Sequence, residues 1–156
     1  YSNVSLRQIA SAAGVDVALI SRHFGGKLGL FEATLDGAFS IFETPPVNET
    51  ELIDAFVRSF AEAPRTSTEP SAGTMLLTNS YDEEVGSLIR DLYDRHFQQT
   101  LRDLLGPERA ALFAAVVFGF SVAEKSLRVD GIAPPSSVEY RRQLEHLIRA
   151  ALSFSG

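Results

Sequence analysis

The 156-residue chain contains no cysteine. That absence excludes disulfide frameworks, thiolate metal sites and cysteine nucleophiles, and it suits a reducing compartment. Long apolar runs are also missing. The longest, residues 110–123, has fourteen residues and includes Gly119 and Ser121, short of the roughly 20 that a bilayer span needs. It reads as a buried helix, and no membrane partner is expected. No basic leader with an apolar core and a cleavage site precedes the first helical segment, so the expected location is cytoplasmic.

Catalytic signatures are equally scarce. The chain has no phosphate-binding glycine loop, serine elbow, zinc-helix motif or acid-x-x-His pair. Carboxylates gather at Asp82, Glu83 and Glu84, but adjacent acids at a helix start are explained by the helix dipole and by solvation. No enzymatic activity, cofactor or metal is therefore expected. Strand alternation bounded by hairpin signals is missing too, which leaves an all-α fold.

Positive charge is in short supply, with a net charge of −6, and this looks wrong for a nucleic-acid binder until it is divided along the chain. Residues 1–31 hold Arg7, Arg22 and Lys27 against Asp16 alone, a net +2; the remainder carries eleven basic and nineteen acidic groups, a net −8. The pattern is a small basic head on an acidic body, which would present only the head to phosphates.

What is present is helical periodicity, with 45% hydrophobic residues, enough for a real core. Residues 9–24, IASAAGVDVALISRHF, set two short helical runs around one glycine. Ser5 is a good N-cap; Ile9, Ala10 and Ala13 share a face; Gly14 stops the run; and Asp16 can cap a second helix. In that helix Ile20 and Phe24, four apart, point back toward Ile9, Ala13 and Val15. Ala10 is small enough for a steep crossing and Gly14 accepts a positive φ, as a helix-turn-helix requires. A helical hairpin of purely structural role has the same ingredients.

The continuation HFGGKLGLFEATL places His23 and Phe24, then Lys27 and Leu30, at the mouth of a third run. Together with Ile9, Ala10, Ala13, Gly14 and Val15, these residues resemble the DNA-binding domain of the tetracycline-repressor (TetR) family. The family pattern runs roughly I-A-x-x-A-G-V-S, a short recognition helix, then [YH]-F-x-x-K-x-x-L. The resemblance implies that the second helix reads bases: Val17, Ala18, Leu19, Ser21 and Arg22 become groove-facing candidates, and Ser5, Arg7, His23 and Lys27 phosphate candidates. The chain departs from common family usage at Asp16, Leu19 and Ser21, where Ser, a small or polar residue and Tyr are frequent. Leu19 offers a thymine methyl an apolar contact but no hydrogen bond. Family members carry a further helix before this point, ending in a pair that Tyr1 partly matches. Residues upstream of Tyr1 are accordingly expected to be missing, leaving part of the Ile9, Ile20 and Phe24 face open to water.

Beyond the head, Phe31, Leu35, Ala38, Phe39 and Phe42 form one stripe, ended by Thr44 and Pro45-Pro46. This gives two units: a head with its connecting helix, 1–43, and a body, 44–156. The body should hold a helix near 49–63 with Leu52, Phe56 and Phe60 inward, a loop at 64–70 and a short helix near 71–78. A long helix from about Asp82 to Leu105 carries Val85, Leu88, Ile89, Leu92 and His96. An almost wholly apolar helix runs from Pro107 to about Val129. The last, about 137–154, carries a stripe of Tyr140, Leu144, Leu147, Ile148 and Ala151.

In TetR-like proteins the last two helices form a dimeric four-helix bundle. Ala111, Ala115, Gly119 and Ala123, spaced by four, would allow close approach there or serve as ordinary core. A homodimer would set two recognition helices about 34–36 Å apart, matching a palindromic operator in double-stranded DNA. The resemblance also implies a small-molecule effector enclosed by the body. Phe56, Phe60, Tyr93, Phe97, Phe113 and Phe118, with the polar Arg90, His96 and Ser121, are the pocket candidates, although aromatics of this kind equally make plain core. The family's commonest mode makes the chain a repressor released from its operator by that ligand. The alternative is a dimeric helical ligand-binding or protein-interaction module that no longer reads DNA.

Overall fold

The computed structural model describes residues 1–39, 44–62 and 72–155, without the side chains of residues 37–39 and 72. The side chains of the stripe positions Ala38 and Phe39, the whole of Phe42 and the 64–70 loop therefore lie outside what is described. Every regular element among the described residues is helical. The order is α1 (Leu6–Ala13), α2 (Val17–Phe24), α3 (Lys27–Phe39), α4 (Glu49–Glu62), α5 (Ala72–Asn79), α6 (Gly86–Tyr93), α7 (Gln99–Leu105), α8 (Pro107–Ser121) and α9 (Val138–Leu152). One π-helical turn, Asp94–Gln98, joins α6 to α7, and another, Val122–Ser126, extends α8.

The head forms where its local signals place it. Ser5 caps α1 in a capping box, its side chain accepting from the Gln8 N–H while the Gln8 side chain accepts from the Ser5 N–H at 2.8 Å. Gly14 closes α1 at φ 66°, a left-handed conformation that only glycine adopts without strain. The Asp16 carboxylate accepts from the Ala18 N–H at 2.7 Å and starts α2. Ala10, 1% exposed, sits at the tight point. Ile20 is buried and Ile9 and Phe24 are half-buried, so this face is more closed than its sequence suggests. The apolar surface left open lies at Val4, Val15 and Leu28 instead.

The body is built on a core in which α4, α7, α8 and α9 bury their stripes against one another. Phe56 lies edge-on to Phe97 at 5.7 Å and to Phe113 at 4.8 Å, and Phe120 meets Tyr140 at 5.5 Å. A second cluster joins Leu35 of α3 to Leu76 of α5 and to Val85, Ile89 and Leu92 around α6, with Tyr1 and Phe31 packed against it. This cluster is where the head meets the body.

Three expectations are corrected. The long helix starts at Gly86 rather than near Asp82, because the Asp82 carboxylate folds over the N–H groups of Glu84 and Val85 and holds residues 83–85 in a turn. The α8 segment ends at Ser126 rather than Val129, since Arg128 adopts φ 50° and the Val129 N–H turns back to the Ala123 carbonyl at 2.9 Å. Leu147 is not part of the buried stripe: Tyr140, Leu144, Ile148 and Ala151 are buried, while Leu147 is 39% exposed on the opposite flank of α9.

Candidate nucleic-acid interface and effector recess

Burial of Ile20, on a helix that packs on α1 and α3, fixes which way α2 faces. At about 100° per residue, Ala18 and Arg22 stand opposite Ile20 in the middle of the outward face, with Leu19 and Ser21 on its flanks. All four are exposed, Leu19 by 48%. Val17 is half-buried at the start of the helix. His23 is exposed and its ring stands edge-on to Phe24 at 4.6 Å. Arg7 points into solvent from α1, and the Ser5 hydroxyl is engaged in its cap.

The glycine that holds α2 against α3 is one that motif reasoning passed over. A Cβ on Gly29 would stand 1.8 Å from the carbonyl oxygen of Phe24. Only a bare backbone allows the third helix to approach the end of the second so closely.

Lys27 is turned inward. Its Nζ donates to the Tyr1 carbonyl at 2.8 Å and lies 3.8 Å from the centre of the Tyr1 ring. Tyr1 is a hub that the sequence does not advertise. Its ring packs on Phe31 at 5.0 Å and its hydroxyl donates to Glu84. Ser2 donates to Asp82, and this bond, with the N–H of Glu84, holds the Asp82 carboxyl below the usual carboxylate range. A phosphate-contact candidate is thus tied to the turn between α5 and α6. A second tie is the His96–Asp36 pair at 3.1 Å, which joins the π turn to α3.

That same turn borders an open recess of about 160 Å3 between α5, α6 and α8, lined by Leu76, Leu77, Ser80, Ile89, Arg90, Tyr93 and Phe118. Of the pocket candidates, Arg90, Tyr93 and Phe118 come together here. Phe56, Phe60, Phe97 and Phe113 do not; they are packed into the body core. His96 is exposed and faces Asp36, and Ser121 is buried with its Oγ toward Gly73 and does not line the recess. Leu76, Leu77 and Ser80 were missed because a short helix with no clear stripe gives no inward direction. Burial pushes the Tyr93 hydroxyl up to about 12, so it stays neutral and donates to Gln98 Oε1 at 2.9 Å.

Comparison with known protein families decides the question of kinship. Residues 1–34 match the family of bacterial regulatory proteins described as the tetR family, and residues 51–152 match the tetracyclin repressor-like C-terminal domain. The chain belongs to the TetR family. No curated protein and no solved structure matches it. As a TetR-family member it is a transcriptional regulator with a helix-turn-helix DNA-binding head on a helical body. Among the described residues no cluster of three or more His, Asp or Glu side chains could hold a metal, and no helix is long and apolar enough to cross a membrane.

The TetR resemblance also gives a context to the small-residue stripe on α8. Ala111, Ala115 and Gly119 are exposed in the single chain, beside Leu112 at 39% and Leu147 of α9. Between the two helices an open apolar groove of about 430 Å3 is lined by Gly119, Phe120, Ala123, Ile132, Gln143, His146 and Leu147. The stripe is therefore not core of its own chain, and it borders a surface richer in apolar groups than solvent favours.

Proposed function

We propose that the protein is a dimeric repressor that holds a palindromic operator through two copies of α2 and is released by a small molecule seated beside α6. The observation that carries the reading is the outward face of α2, where Ala18, Leu19, Ser21 and Arg22 are exposed on a helix fixed at both ends by Asp16 and Gly25. Arg22 is the direct base contact in this scheme, Leu19 a thymine-methyl contact, and Arg7, His23 and a released Lys27 the phosphate contacts. The two units are the head, 1–43, and the body, 44–156. Dimerisation uses the exposed flank of α8 and α9, because covering Leu112, Leu147 and the small residues removes apolar surface at about 25 cal/mol per Å2.

The head-body cluster supports a route for release. Leu76 and Ile89 line the recess and also belong to the cluster that buries Leu35 of α3. A ligand that displaces either one acts on α3 directly, and it shifts the equilibrium only by the difference in its affinity for the two arrangements of the heads. Selection from random duplex DNA, followed by binding of the enriched sequence across a salt series, tests the reading. A palindromic consensus with steep salt dependence supports it. Absence of enrichment by a folded dimer refutes it and favours a module that no longer reads DNA.

A further inference from the structure

The recess carries more information than its location. Its walls are Leu76, Leu77, Ile89, Tyr93 and Phe118, and Tyr93 and Phe118 meet at 5.5 Å to form an aromatic floor. Its few polar groups are largely committed: the Tyr93 hydroxyl donates to Gln98, and the Ser80 hydroxyl donates to the Leu77 carbonyl. Arg90 stands at the mouth. Nη1 donates to the Ser80 carbonyl at 2.8 Å, and among the described residues the guanidinium's other donors are unengaged. The side chain reaches back to the turn before α6, where a Cβ on Gly86 would stand 3.4 Å from Nη1, and in that turn Asp82 is engaged by Ser2 and Glu84 by Tyr1. Among the described residues no carboxylate pairs with Arg90.

We infer that the effector is a small monocarboxylate with an aromatic or branched apolar tail, its ring or tail on the Tyr93–Phe118 floor and its carboxylate on Arg90. The volume sets the size: a dry cavity of about 150 Å3 accommodates a benzene ring, and this recess is of that order. A guanidinium with free donors in a fork is the group that binds a carboxylate through two hydrogen bonds. In a chain of net charge −6, an uncompensated arginine beside an apolar recess selects for an anion with a single charged end. The inference rests on the reading of the recess as the effector site.

The test titrates the full chain with phenylacetate and, separately, with its neutral counterpart phenylacetamide, by calorimetry and by amide chemical shifts. Three variants accompany it: Arg90→Gln, Arg90→Lys and Leu76→Trp. Phenylacetate should bind at least tenfold more tightly than phenylacetamide; Arg90→Gln should abolish that preference, Arg90→Lys, which keeps the charge but loses the fork, should keep only part of it, and Leu76→Trp should weaken both probes. Equal binding of the two probes, or a preference untouched by Arg90→Gln, overturns the anionic class even if both probes release DNA. Failure of both probes to bind overturns the inference outright. Arginine-dependent binding of phenylacetate that leaves the selected DNA complex intact upholds the site and its ligand class, and counts instead against release by ligand.

Discussion

Replacing Gly29 with alanine sets a local preference against a tertiary contact. In an open helix the change is favourable, since alanine is preferred over glycine by about 1 kcal/mol. Here the new Cβ would lie 1.8 Å from the Phe24 carbonyl oxygen and 3.0 Å from its carbon. That is roughly 1.5 Å short of the ~3.3 Å at which carbon–oxygen contacts settle. The obstacle is backbone, so no side-chain rotation relieves it; α2 and α3 must separate. Overpacking costs about 1–3 kcal/mol where neighbours can adjust, and a rigid neighbour places this case at the upper end or beyond. After the propensity gain, the net expected loss is about 2 kcal/mol, concentrated in the head. Gly73→Ala is the control, because its Cβ would meet Phe118 and Ser121 at an ordinary 3.6 Å; it should be neutral or stabilising by up to ~1 kcal/mol. Chemical denaturation followed by circular dichroism gives the stabilities, and hydrogen exchange locates the loss. Equal stability of the two variants, with no faster exchange in α2 and α3, would refute the reasoning.

Other outcomes follow from the same contacts. Arg22→Ala should weaken binding to the selected operator by ~1–3 kcal/mol and relax preference at one base pair per half-site; unchanged affinity and preference would remove Arg22 from the interface. Gly119→Ala meets nothing within 4 Å in the single chain, so it should not harm the fold, yet it should shift sedimentation toward monomer if α8 meets a second copy. Ser5→Ala removes one arm of the capping box and should cost about 1 kcal/mol in thermal unfolding, with Ser5→Gly milder. Tyr93 titrates at about 12 in the folded chain and near 10 unfolded. Its neutral form therefore adds stability that is fully present below about pH 10 and is lost as pH rises toward 12. Tyr93→Phe should flatten that alkaline decline in a pH series of denaturation midpoints.

The head was legible because its determinants are short-range. The Ser5 cap, the Gly14 stop and the Asp16 cap each act within a few residues, so spacing alone placed α1 and α2. The body's helices were legible as stripes, and Leu52, Phe56 and Phe60 do face inward together. What the stripes could not say was which aromatic met which. Phe56, Phe97 and Phe113 are all pocket candidates on the strength of the resemblance, but in the core Phe56 lies between the other two and edge-on to both. His96 sits on an apolar helix, yet the π turn rotates it out toward Asp36.

Sequence by itself determined the fold class, the helix-turn-helix and the family, because capping, glycine conformation and periodicity are written in neighbouring residues. Only the tertiary structure decided where the recess lies, that Gly29 is obligatory, that Lys27 folds onto Tyr1, and that Arg90 pairs with no carboxylate among the described residues. Those outcomes depend on contacts between residues far apart in the chain, such as Tyr1 with Glu84 and Leu35 with Ile89. No local pattern encodes such distances, so packing sets them.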